Sequence, residues 1–160
     1  VTAGKTTGIC PCGKNLERLP HAFVLRDDSF SASPDGWARR AVTAFNQTKA
    51  DRFAVERNFG GPMVETTIRT VLPSAPIHMV VASRGKTIRA EPIAALYEQG
   101  RVHHVGSFPE LEDEMTTWTS DEPWSPNHMD ALVWAVTELG LHESGELTSN
   151  VAQVTAARIR

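Results

Sequence analysis

Two acidic residues beside apolar segments are the strongest candidates for chemistry in this sequence. Glu56 ends the short apolar run Phe53–Val55, and Asp130 comes directly before the apolar run Ala131–Val136. Burying an unpaired carboxylate is costly, so such an acid needs a partner, a bound proton or a metal ion. One acid at a strand end and one on a late buried helix indicate a carboxylate-held metal site. Oxygen-only ligation selects hard cations such as Mg²⁺ or Mn²⁺.

Each acid also has a simpler interpretation. Glu56 could form an ion pair with Arg57 or Arg52, and Asp130 could help to cap its own helix. In a two-metal site, acids from separate elements must meet at one edge of a sheet, and Glu56 and Asp130 satisfy that requirement. The spacing alone leaves both interpretations open.

A basic cluster lies between the two acids in the sequence. Arg84 and Lys86 flank Gly85, and Arg89 follows in the first turn of a predicted helix. Cations on a loop and a first helical turn can contact phosphates, and in that position they oppose the helix dipole. We therefore treat these three residues as candidate DNA contacts, the alternative being a solvated surface loop.

Cysteine usage favours a reduced setting. Cys10 and Cys12 are the only cysteines, which makes a disulfide framework implausible. A zinc site would need further ligands, and His21, His103 and His104 show no ligand spacing. Adjacent His103 and His104 should face opposite sides of a strand, which argues for packing and surface roles.

Two further segments carry weaker signals. Ala3–Thr7 contains Gly-Lys-Thr, but a phosphate-binding P-loop also needs an earlier glycine and a preceding strand. Asp27 and Asp28 follow a predicted strand, and Asp28 could approach the same edge as Glu56. Both are more typical of turn residues.

The composition is that of a globular domain. The chain has 160 residues, of which 41% are hydrophobic and 22% charged. A net charge of −3 means that any nucleic-acid binding must come from a local basic patch. No apolar run approaches the roughly 20 residues of a membrane span, so no membrane partner is expected. The chain starts at Val1 without a signal-peptide pattern, and we expect it to be a fragment of a longer protein.

Hydrophobic periodicity predicts a hairpin followed by alternating strands and helices, and hence an α/β domain with a mixed sheet over residues 1–142. Ser125 is the expected N-cap of the late helix, and 143–160 is expected to be a polar tail. The predicted strands cover 8–10, 22–25, 52–56, 77–81 and 102–105, and the predicted helices begin near 34, 62, 86 and 126, with a short acidic helix over Leu111–Trp118.

Several stretches, spread in order from about Gly8 to Leu139, resemble the C-terminal nuclease domain of phage terminase large subunits, the DNA-packaging motor protein. The stretches that carry the resemblance are Trp37–Ala41, Glu56–Val64, Ala82–Lys86, Arg89–Pro92, Leu96–Gly106, Leu111–Met115 and Ser125–Ala135.

The resemblance implies an RNase H-like (RuvC-like) fold, a mixed central sheet flanked by helices. It also implies an endonuclease, dependent on two Mg²⁺ or Mn²⁺ ions, that cuts concatemeric double-stranded DNA. Glu56 and Asp130 match the second and third family acids, and Asn58 would support Glu56 as an outer hydrogen-bonding group. The implied partners are double-stranded DNA, the packaging ATPase domain of the same protein, the portal and the small terminase subunit, in the cytoplasm of the bacterial host.

The sequence departs from the family at its first acid. That acid belongs to a strand just before the region matching Ala3–Ile9, and no such strand precedes this region here, so weak metal affinity and weak or absent cleavage are expected. Two alternatives follow. One is a resolvase- or transposase-like nuclease with a preference for branched DNA, and the other is a non-catalytic docking domain of the packaging motor.

Overall fold

A computed structural model describes residues 2–6, 20–57, 60–141 and 153–157, with side chains for 20–57 and 60–141. These residues form a mixed α/β arrangement around one six-stranded sheet of order β4-β3-β6-β1-β2-β5. The strands are β1 Thr2–Thr6, β2 His21–Arg26, β3 Arg52–Glu56, β4 Ile77–Val80, β5 Val102–His104 and β6 Gln153–Ala157. The helices are α1 Pro34–Thr48, α2 Gly61–Val71, α3 Lys86–Glu98, α4 Pro109–Thr117 and α5 Asn127–Glu138.

The sheet combines both strand directions. β3 is parallel to β4 and β6, whereas β1 is antiparallel to both β6 and β2, and β5 is parallel to β2 at the far edge. The predicted mixed sheet is therefore present, and the predicted strand at 102–105 does lie at an edge.

A C-terminal strand lies inside the sheet. Residues 143–160 were expected to form a polar tail, but Gln153–Ala157 forms β6 between β3 and β1, with Val55 opposite Ala157. Val154 and Thr155 are β-branched and suit a strand. The pairing partners of β6 lie far away in sequence, so local periodicity could not assign it to the sheet.

The N-terminal hairpin differs from its prediction in one strand. β2 confirms the predicted strand at 22–25. Its antiparallel neighbour is β1, Thr2–Thr6, which includes most of the segment considered for a P-loop. The strand predicted at 8–10, together with Cys10 and Cys12, lies outside the described residues.

Helices cover both faces of the sheet. In β3, Phe53 and Val55 pack with α1 and α2, whereas Ala54 packs with α3, α4 and α5. This alternation follows from the two-residue period of a strand. Glu56 has the same parity as Ala54 and therefore belongs to the face covered by α5.

The late helix begins later than expected. Ser125 was predicted to be its N-cap, but α5 begins at Asn127, with Pro126 at the cap position and no side-chain cap hydrogen bond. The hydroxyl of Ser125 instead contacts Lys86 Nζ and donates to Asn127 Oδ1 at 3.1 Å. In the part of the chain that is described, no helix combines the length and apolarity needed to cross a membrane.

Candidate active site

Glu56 is the last residue of β3, and α2 begins five residues later at Gly61. Its side chain is buried, with 9% of the residue exposed. Gly60 has a left-handed φ of 75°, which glycine adopts without strain. A Cβ on Gly61 would lie 3.1 Å from the Glu56 carbonyl oxygen and 2.8 Å from Met79 Cε. The two glycines therefore let α2 start directly against the residue that carries the carboxylate.

Asp130 lies in the first turn of α5 and is 1% exposed. Side chains from three other segments hold this end of α5. His128 Nδ1 lies 2.6 Å from Asp27 Oδ2, which follows β2, and the Met129 amide donates to Glu114 Oε2 on α4 at 3.0 Å. Lys86, at the start of α3, contacts Ser125. The position of Asp130 is thus fixed from several directions.

Arg89 and Trp134 connect the two acids. Arg89 Nη2 lies 3.0 Å from Asp130 Oδ1, and the guanidinium carbon lies 4.7 Å from the centroid of the Trp134 ring. The Trp134 indole nitrogen donates to Glu56 Oε2 at 3.3 Å. Glu56, Trp134, Arg89 and Asp130 therefore form one continuous cluster on the α5 face of the sheet.

Arg89 is incompletely stabilised by the groups around it. Burial lowers the pKa of Arg89 below its ordinary value, and the negative charge of Glu56 offsets part of that effect. Two buried donors of Arg89, Nε and Nη1, have no hydrogen-bond partner among the described residues. The donors of a guanidinium that is shielded from water are usually all hydrogen-bonded, but only one of the three guanidinium nitrogens of Arg89 has a partner in the described structure.

The predicted DNA-contact residues separate into two environments. Arg84 is exposed on the loop after β4, and Lys86 is partly buried against Ser125. Arg89 was expected to contact phosphates from a basic surface cluster, but its side chain is only 13% exposed and is paired with Asp130. The three cations adjoin in sequence, but the first turn of α3 directs Arg89 inward.

The simpler interpretation of Glu56 does not hold in the described structure, where Glu56 forms no ion pair with Arg52 or Arg57. Asp28 also stays apart from Glu56, because its carboxylate pairs with Arg26 at 2.9 Å and with Arg40 at 3.1 Å. Asn58 lies outside the described residues.

The histidines of β5 do face opposite ways. His103 Nε2 lies 2.8 Å from His21 Nδ1, and its ring stacks on Phe23. His104 contacts Tyr97 Oη at 2.7 Å and Glu112 Oε1 at 2.9 Å. Both histidines are partly buried and serve packing between elements.

The carboxylates of Glu56 and Asp130 are suitable ligands for a hard divalent cation, but they are few. Within residues 20–57 and 60–141, no group of three or more His, Cys, Asp or Glu side chains could hold a metal ion. Mg²⁺ commonly uses one or two protein carboxylates and completes its shell with water and substrate phosphates. Glu56 and Asp130 supply that minimum, and the partly buried Arg89 shows that this site already accommodates a positive charge.

Sequence analysis missed two parts of the site. The hydrogen bond from Trp134 to Glu56 spans 78 residues, and the contact between His128 and Asp27 spans 101. The available signal was helical spacing. Trp134 lies four residues after Asp130 and therefore on the same side of α5, so the two side chains can share a contact such as Arg89.

Comparison with known proteins identifies the family. No significant match was found among curated proteins or among solved structures. A family model described as "Terminase RNaseH-like domain" matches residues 22–139, which is most of the chain and includes both acids. The chain therefore belongs to the terminase RNaseH-like domain family.

Proposed function

We propose that this chain is the metal-dependent nuclease domain of a phage or prophage terminase large subunit and that it cuts concatemeric double-stranded DNA. The observation that carries the proposal is the convergence of Glu56 and Asp130, two buried carboxylates from different elements, on one face of the sheet. Buried acids that share one polar cluster are candidates for a functional site.

Glu56 and Asp130 would hold a Mg²⁺ or Mn²⁺ ion. When bound, such an ion activates water for attack on a phosphodiester and stabilises the leaving oxygen. The rest of the cluster orients the two ligands. Trp134 donates to Glu56, and contacts of His128, Met129 and Ser125 with neighbouring elements fix the first turn of α5. Ligands held this way require little reorganisation.

DNA would approach from the edge where β3 and β4 end. Glu56 is opposite Val80 in the parallel pair, so the loop after Val80 leaves the sheet beside Glu56. Exposed Arg84 on that loop, and Lys86 after it, would contact DNA phosphates near the acidic cluster. Arg89 is not included among these contacts, since it is committed to Asp130.

The family membership favours a packaging terminase over a resolvase- or transposase-like enzyme. The partners would then be double-stranded DNA, the packaging ATPase domain of the same protein, the portal and the small terminase subunit. The site of action would be the cytoplasm of the bacterial host.

A non-catalytic docking domain is the second candidate. The observation favouring it is the small donor set, two acids among the described residues with one of them already paired to Arg89. Such a domain would bind DNA or packaging partners and cut nothing, with or without metal.

Cleavage of supercoiled plasmid in Mn²⁺ separates these candidates. We expect the wild-type chain to nick or linearise the plasmid, and Asp130→Asn and Glu56→Gln each to lower the rate by about 100-fold or more, as loss of a group stabilising the reaction does. Asp35→Asn is the matched control because Asp35 is an exposed carboxylate on α1, paired only with Arg39 in the described structure, and should cut at the wild-type rate. Wild-type cleavage that survives Asp130→Asn, or folded wild-type protein that never cuts, would contradict the proposal.

A further inference from the structure

Arg89 is an unusual partner for a buried acid. It lies in the first turn of α3, where a cation opposes the helix dipole, and its side chain is only 13% exposed. One nitrogen contacts Asp130, the ring of Trp134 stacks against the guanidinium, and Nε and Nη1 have no hydrogen-bond partner in the described structure.

These features do not describe an ion pair built for stability. A buried pair offsets its desolvation cost only when the remaining donors are also hydrogen-bonded. Arg89 leaves two of them unused, each at a cost of about 1–3 kcal/mol. The few hydrogen bonds of Arg89 do not explain its position. A better explanation is that the two buried carboxylates require a positive charge beside them.

We propose that Arg89 is a built-in counter-ion of the acidic site, which pairs with Asp130 and offsets part of the negative charge of Asp130 and Glu56 in the absence of a divalent cation, and which is displaced from Asp130 when one binds. This inference rests on the proposed metal site. It adds that metal loading is a competition between two cations for the same carboxylate, in which the guanidinium, now stacked on Trp134, moves away from Asp130.

The competition predicts the direction of two changes, one in metal affinity and one in stability. Removing the charge of Arg89 should increase the affinity for metal, because a cation no longer has to be displaced. It should also destabilise the metal-free domain, because Asp130 is then left buried without this counter-ion. A purely structural role for Arg89 predicts the second effect without the first.

Calorimetric titration with MnCl2 tests the first effect. Arg89→Met keeps an unbranched apolar side chain at this position and removes the charge, and we expect Mn²⁺ to bind it at least about tenfold more tightly than the wild type. Arg39→Met removes an exposed charge from α1, on the other face of the sheet, and should change the Mn²⁺ affinity by less than about threefold, since exposed charges are screened.

Thermal unfolding in EDTA and in MnCl2 tests the second effect. Arg89→Met should melt lower than the wild type in EDTA and show the larger rise in Tm on addition of Mn²⁺. Adding Asp130→Asn to Arg89→Met should recover much of the loss seen in EDTA. Arg89→Lys keeps a positive charge but not the planar guanidinium. It should fold in EDTA and in MnCl2, and its Mn²⁺ affinity should lie between those of the wild type and Arg89→Met.

The outcomes distinguish this inference from the proposed function. If the wild type binds Mn²⁺ and Arg89→Met and Arg89→Lys bind it no more tightly, the counter-ion role is overturned while the metal site stands. If no folded variant binds Mn²⁺, both are overturned.

Discussion

The two faces of the sheet are built on different principles. The core cluster beneath α1 and α2 consists of eight buried apolar residues, and no buried charged residue of the described structure belongs to it. The face covered by α3, α4 and α5 carries Glu56 and Asp130, the two buried charged residues of the described structure. β3 contributes to both faces through alternate residues, Phe53 and Val55 to the first and Ala54 and Glu56 to the second.

Stability and function therefore depend on different faces of the sheet in this domain. The α1/α2 face gains stability from burial and close packing. In the described structure, the α5 face contains buried charges, an Arg89 with unpaired donors, and a hydrogen bond donated by the Trp134 indole to Glu56. Substitutions on the two faces should therefore have different consequences, even between neighbouring residues of one strand.

The largest expected effect on stability is on the apolar face. Phe53 is 0% exposed and stacks on Phe45, with ring centroids 4.5 Å apart. Phe53→Ala should lower the free energy of unfolding by about 3–5 kcal/mol, because it removes buried surface and leaves a cavity. Urea denaturation measures the loss. Calorimetry on the folded fraction should give an unchanged Mn²⁺ affinity, and a changed affinity would show that the faces are not separate.

A smaller effect on stability is expected at Trp134. Trp134→Phe keeps an aromatic ring for Arg89 and removes the donor to Glu56 Oε2. We expect a loss of about 0.5–1.5 kcal/mol in urea denaturation, with a several-fold weaker affinity for Mn²⁺ because Glu56 loses its orientation. Unchanged Mn²⁺ binding would remove Trp134 from the site.

The effect expected at Asp27 is similar in size to that at Trp134 at pH 7 and becomes the smallest at low pH. Burial alone would raise the pKa of Asp27, but hydrogen bonds from His128 and Ser29 bring it below its ordinary value of 3.8. A carboxyl whose folded-state pKa is lowered contributes stability above about pH 4, and the contribution is lost as the pH falls through the folded-state value.

Asp27→Asn should therefore lower stability by about 0.5–1.5 kcal/mol at pH 7 and by less at pH 3. Urea denaturation at the two pH values measures the difference. The exposed Asp121→Asn serves as a control for general acid effects. An Asp27→Asn loss that is equal at both pH values would contradict the role assigned to the contact between Asp27 and His128.

Local patterns predicted much of this fold. A short apolar run between charged residues located β3 with both of its ends, and a glycine pair followed by proline located the start of α2. The same patterns identified Glu56 and Asp130, because an acid beside an apolar run is visible in sequence alone.

Contacts between distant segments could not be predicted in this way. The position of β6 between β3 and β1 depends on pairing across most of the chain. Arg89 was grouped with Arg84 and Lys86 because they adjoin in sequence, but helix geometry directs it towards Asp130. Ser125 has the residue type of an N-cap, but its hydroxyl is engaged by Lys86 and Asn127.

The most direct test of the central claim is to locate bound Mn²⁺ by its paramagnetic broadening of the four tryptophan indole NMR signals. The indole of Trp134 donates to Glu56, whereas Trp37 packs on the α1/α2 face and serves as an internal reference. We expect substoichiometric Mn²⁺ to broaden the Trp134 signal first and the Trp37 signal last, with Asp130→Asn abolishing the selectivity. Equal broadening of all four signals, or selective broadening that persists in Asp130→Asn, would contradict a metal site at Glu56 and Asp130.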